Sequence, residues 1–146
     1  MNNLKTEELL AERSKELNCL YSIEEILSKP QLTLDEILGK IVLILPEAFR
    51  FNKECKVKIS IDSKIAASNG FKLTKKIIRE TIYEQNKSVG EIVVAYDNEN
   101  FDFLAEEKRL VKTVADRFGH YLLYSKLKKL FAEAEENGDL SKKEWF

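Results

Sequence analysis

One histidine, two cysteines and several paired acids are the residues from which this chain could build chemistry. His120, set between Gly119 and Tyr121, is the only imidazole. No two-histidine metal site is available, and a Ser-His-Asp or Cys-His arrangement could form only around this one position. A phosphoacceptor histidine is marked by an adjacent acid and a nearby proline. Tyr121-Leu122-Leu123-Tyr124 supplies neither, so His120 reads as structural or surface-lying. Cys19 and Cys55 form no CxxC and have no neighbouring ligand to complete a metal set, which predicts two reduced thiols and no metal. Glu7-Glu8, Glu24-Glu25, Glu106-Glu107 and Glu135-Glu136 sit in helical stretches with bases three or four positions away, so they read as solvated ion-pair partners, not as acid–base machinery. Lys126, Lys128 and Lys129, with Lys142 and Lys143, could touch phosphate. Glu133, Glu135, Glu136 and Glu144 balance them, and a solvated helix face is the expectation. The five glycines are scattered singly, so there is no phosphate-cradling loop. No catalytic site is expected, and no cofactor is assigned.

The elements that would position these residues follow from length and periodicity. A chain of 146 residues fits one domain, and such a domain buries roughly 70% of its unfolded surface. Lys plus Arg number 24 against 25 Asp plus Glu, so no global field draws in nucleic acid or an anionic membrane. The longest apolar run, Ile41 to Pro46, is too short to span a bilayer, and the polar start Met1-Asn2-Asn3 does not resemble a signal peptide; a cytoplasmic protein is expected. Leu9, Leu10, Leu17, Leu20, Tyr21, Ile23, Ile26 and Leu27 recur at helical spacing and predict a long amphipathic helix from Leu4 to Leu27 that stops before Pro30. Thr33-Leu34-Asp35-Glu36 is a capping box, with Leu32 and Ile37 at the staple positions. It opens a second helix to about Leu45, with Ile37, Leu38, Ile41, Val42 and Leu45 buried and Pro46 at its end.

The period then changes. Val57, Ile59 and Ile61 alternate with Lys56, Lys58, Ser60 and Asp62, which predicts a strand with one buried face. A turn at Ser63-Lys64, a short strand near Ile65 to Ala67, a turn at Asn69-Gly70, and a hairpin of Lys76 to Glu84 with Val89 to Tyr96 complete a four-stranded antiparallel sheet. Asp102 is the predicted N-cap of a long last helix. Its inner stripe is Leu110, Val111, Val114, Ala115, Phe118 and Leu122. A second seam of Leu123, Leu127, Leu130, Phe131 and Ala134 continues past the size of a compact domain. An apolar seam needs a cover, and the first helix and the same helices of a second chain are the candidates. Leu10, Leu17, Leu20, Leu123, Leu127, Leu130 and Phe131 are therefore the expected homodimer interface. Gly138 then stops the helix, and Ser141-Lys142-Lys143-Glu144 before Trp145 and Phe146 is a second capping box, as if a further helix began there. The expected organisation is an N-terminal amphipathic helix over 1–30, a core over 31–122, and a helical extension over 123–146 leading to a linker or another domain.

This order of elements, with Leu17-Asn18-Cys19-Leu20-Tyr21-Ser22-Ile23, resembles the GAF-like sensors that precede histidine kinases and phosphoenolpyruvate synthase or pyruvate, phosphate dikinase chains. Lys29-Pro30, Leu34-Asp35-Glu36-Ile37-Leu38, Leu45-Pro46, Val89-Gly90-Glu91-Ile92, Phe103 to Val111 and Val114-Ala115-Asp116-Arg117 fit the same pattern, over about Leu17 to Glu136. The resemblance implies an α+β fold with the long N- and C-terminal helices packed on one face of an antiparallel sheet. It also implies a small-molecule pocket on the other face, a parallel dimer, and an attached output domain of kinase or phosphoenolpyruvate synthase type. The chain departs from the family in several places. Asn86-Lys87 falls in the hairpin turn and Ala105 stands where the cyclic-nucleotide signature has Asp, so that match is incidental. No histidine is placed to ligate haem, and Cys55 lacks the surroundings of a bilin attachment site. The 67–74 link, where the family inserts helices to roof its pocket, is short.

Two readings remain. In one, a small effector binds beside the sheet, with Ile59, Phe71, Ile82 and Tyr83 as pocket residues, and shifts the terminal helices. In the other, the chain is a dimerisation module with no small ligand. A free-standing enzyme ranks below both.

Overall fold

The computed structural model describes residues 6–136. The predicted helix stop at Gly138, the second capping box over 141–144 and the segment around Trp145 lie outside the described residues, as does the start of the first helix before Thr6. Helix α1 spans Thr6–Leu27 and α2 spans Leu34–Ile44. At the head of α2, the Thr33 hydroxyl accepts from the Glu36 N–H at 3.2 Å and Glu36 Oε1 accepts from the Thr33 N–H at 3.0 Å, the reciprocal pair that the sequence predicts. The helix does not stop dead at Pro46. It tightens into a 3₁₀ turn, Leu45–Ala48, because proline lacks a donor yet is accommodated at the start of such a turn.

Strands β1 (Cys55–Ile61), β2 (Lys64–Ala67), β3 (Ile77–Glu84) and β4 (Lys87–Tyr96) form one antiparallel sheet in the order β2-β1-β4-β3. The β1–β2 turn falls one residue earlier than expected, at Asp62-Ser63, with Asp62 in the left-handed region at φ 54°, a conformation that short polar side chains tolerate. The β3–β4 hairpin is also tighter than expected. It turns on Gln85-Asn86, and β4 begins at Lys87. Gly70, at φ 75°, takes the left-handed position in the turn after β2.

Register sorts the strand residues into two faces. Val57 pairs with Val94, Ile59 with Ile92 and Cys55 with Tyr96, while Ile78 sits beside Val94, so these side chains share one face. They form a single core with Cys19 and Ile23 of α1, Ile37, Leu38, Ile41 and Val42 of α2, and the stripe Leu110, Val111, Val114, Ala115 and Phe118 of α3 (Ala105–Glu136). The helices therefore cover one face of the sheet. The other face carries Lys56, Lys58, Ser60, Arg79, Thr81 and Glu91, with an Arg79–Glu91 ion pair at 2.7 Å. Val93 and Ala95 are buried on that side, outside the helix-side core. No helix among the described residues is long and apolar enough to cross a membrane.

Helix α3 begins three residues after Asp102, which is not its cap. Lys76 takes the Asp102 carboxylate in an ion pair, and Lys76 holds that acid below the usual carboxylate range. Capping passes to Glu107, at the third helical position, whose Oε1 accepts from the Leu104 N–H at 2.7 Å. Farther along, Gly119 lets α3 lie against β3. A Cβ there would stand 2.1 Å from the Tyr83 carbonyl oxygen.

Candidate functional site

The four residues expected to line an effector pocket are not brought together. Ile59 and Ile82 point to the helix side and are wholly buried, so they are core. Phe71 is half-buried in the loop after β2, and Tyr83 is exposed. The period-2 signal in β1 placed Ile59 on a buried face, but could not say that the helices, and not a ligand, fill it, and composition alone assigned Ile82 to a strand without a face. Both thiols are buried. Burial, with Glu16 nearby, pushes Cys19 up to about 12, and burial together with Glu107 and Asp97 raises Cys55. Neither is a nucleophile near neutral pH. Among the described residues, no cluster of His, Cys, Asp and Glu could hold a metal.

The structure instead concentrates its unusual features along α1 and α3. Leu17 and Leu20 lie beside Glu106, Arg109, Leu110 and Thr113; Glu24 pairs with Arg117 at 3.0 Å; Leu27 lies beside Tyr121 and Tyr124. The two helices therefore run parallel. Because α1 ends at Leu27, α3 runs ~18 Å past Tyr124 to Glu136, at about 1.5 Å per residue, beyond the reach of α1.

Five of the seven predicted interface residues are exposed: Leu10, Leu17, Leu127, Leu130 and Phe131. Leu20 turns partly inward onto the core, and Leu123 is half-buried. Tyr21 and Tyr124 are also exposed, at 71% and 65%, and extend the same surface. Their aromatic signal was visible in sequence, but their facing was not. His120 is exposed beside Glu24, Arg117 and Tyr121.

At the opposite end, Glu107 is the one buried charged side chain among the described residues. Besides Leu104, it accepts from the Arg50 N–H at 2.7 Å and the Tyr96 hydroxyl at 3.4 Å, both on Oε2. Desolvation raises its pKa, against the lowering influence of those donors. Around it Tyr96 stacks on Phe103 at 4.2 Å and Phe51 on Phe101 at 4.0 Å, with Arg50 over the Phe51 ring at 4.5 Å. Burial, then the nearby Glu107 charge, raises the Tyr96 phenol too. This hub fixes the start of α3 to the chain before β1 and to the end of β4. Spacing predicts a solvated pair at Glu106-Glu107, whereas in the fold Glu106 is half-buried and Glu107 is fully buried.

A groove of about 460 Å³ lies where α1 ends against α3. Its walls come from 27–30 and from the α3 stripe Tyr121, Ser125, Lys128 and Ala132, with Tyr124 and Lys129 on the flanks. No protein-family model matches the chain, and no curated protein aligns significantly with it.

Proposed function

We propose that the chain is a non-catalytic regulatory module of the GAF-like class, working as a pair of chains joined through α1 and α3 and controlling an attached output domain through the course of α3. The observation that carries this reading is the overhang of α3. Leu123, Leu127, Leu130 and Ala134 recur at four, three and four residues, the heptad spacing of a helix that packs on another helix, and α1 stops before it can cover them. Leu127 and Leu130 are 46% and 51% exposed in the single chain, and a second copy supplies a seam of the same repeat. Glu107 supports the reading from the other end, since it anchors the root of α3 while its tip projects.

Sedimentation equilibrium tests this. The wild-type chain should be a dimer, and Leu127→Asp should be a monomer with an unchanged circular dichroism spectrum, because it would bury an unpaired charge in the seam. A monomeric wild type, or a dimeric Leu127→Asp, overturns the assignment. A second reading, pairing without a small ligand, is favoured by one observation: the sheet face away from the helices carries Lys58 and the Arg79–Glu91 ion pair, and the link over 68–76 contains no helix to roof a ligand there.

A further inference from the structure

We propose that the groove at the end of α1 binds a small organic dianion with a flat ring, in chemical class an aryl phosphate ester. The floor is apolar, from Leu27 and the half-buried Tyr121, which packs on the core. The polar side-chain groups on the walls are the ammonium groups of Lys29, Lys128 and Lys129 and the hydroxyls of Ser125, the tyrosines and Ser28, the last donating to the Glu25 carbonyl at 2.8 Å; no carboxylate among the described residues lines the groove. In a chain with 25 acids, a lining whose charged side chains are all ammonium groups selects for an anionic ligand. Among the described residues Lys128 and Lys129 make no ion pair, and Lys29 reaches Glu25 only at 3.8 Å, so all three cations can turn to a ligand. Three cations outnumber what a monocarboxylate would satisfy and suit the three acceptor oxygens and double charge of a phosphate ester. The volume lies within the range of small-molecule sites and leaves room for one ring against Tyr121.

Sequence hid this site because Lys29 and the Lys128-Lys129 pair are about a hundred residues apart and become neighbours only through the parallel course of α1 and α3. Such a ligand would tie the last turn of α1 to the part of α3 that leaves the domain, and would favour whichever helix arrangement brings the three lysines closest. That regulatory consequence rests on the paired-chain reading; the binding itself does not.

The test is a titration of the full chain with phenyl phosphate, followed by amide NMR, with inorganic phosphate and benzyl alcohol as half-ligands. Saturable shifts confined to 27–30 and 121–132 are expected, with phenyl phosphate binding more tightly than either half. Lys128→Gln with Lys129→Gln should weaken binding roughly tenfold or more, and Lys40→Gln with Lys53→Gln, both exposed and neither lining the groove, should leave it unchanged. Absence of a saturable shift, or equal weakening in both double variants, overturns the proposal. If the Lys128/Lys129 variant loses dimer mass and phenyl phosphate does not bind the wild type, the groove belongs to a second copy and the proposal fails. Sedimentation of the same samples separates the two ideas: a monomer that still binds at 27–30 and 121–132 sustains the site and refutes the pairing.

Discussion

Replacing Glu107 probes how firmly the root of α3 is held. Its carboxylate accepts from two backbone N–H groups, both at 2.7 Å, and from a phenol at 3.4 Å, in a position 1% exposed. Glu107→Ala leaves all three donors without a partner and opens a cavity. At roughly 1–3 kcal/mol for each buried donor left unsatisfied, and with the Arg50 N–H only partly buried, the expected loss is about 3–5 kcal/mol. Glu107→Gln keeps the shape and one oxygen. If that oxygen takes the Oε2 position, the amide NH₂ faces the Leu104 N–H, and the cost is about 1–2 kcal/mol at neutral pH. Removal of the desolvated charge offsets part of it. The two variants also differ from wild type in pH dependence. Because burial raises the folded-state pKa of Glu107, the native state holds this proton more tightly than the unfolded chain. Stability from this group is therefore greatest below the ordinary value of 4.5 and falls as pH rises from there through the raised value. Glu16 is also raised, by its own burial first and then by the Glu107 and Glu106 charges, so its share of the slope shrinks but persists in Glu107→Gln. Urea unfolding of all three proteins between pH 4 and 7, with hydrogen exchange of the Arg50 and Leu104 amides, measures both effects. A Glu107→Ala variant within about 0.5 kcal/mol of wild type, or a Glu107→Gln variant with the full wild-type slope, would refute the account of this hub.

Other variants test the remaining contacts. Gly119→Ala places a Cβ 2.1 Å from the Tyr83 oxygen, so α3 and β3 must part by about 1 Å; an overpacking cost of about 1–3 kcal/mol exceeds the helix-propensity gain of up to about 1 kcal/mol, and thermal unfolding should show a net loss. An unchanged or raised Tm would mean that the helix is free to lift. Cys19 and Cys55 should resist a maleimide at pH 8 in the folded chain and react fully in denaturant; prompt labelling of the native protein would contradict their burial.

Much of the fold was legible locally. The Thr33/Glu36 capping box, the alternation in β1 and the inner stripe of α3 are properties of residues within a few positions of one another, and each formed as its spacing dictates. Boundaries shifted where a competing partner existed: Lys76, 26 residues away, took Asp102 from its capping role and left that role to Glu107. The functional surface was only half legible. Periodicity marks Leu127 and Leu130 as one seam, but it cannot say that α1 ends too soon to cover them. Nor can it say that Ile59 and Ile82 face helices, or that Lys29 lines a groove with Lys128 and Lys129. Alternation, capping and turns could be read from neighbouring residues, because they depend on backbone geometry over one or two turns. Which acid is buried, which apolar residues of α3 lie beyond α1 and which lysines line one groove came from the packing of distant segments, because burial and charge neighbourhood depend on which of them meet.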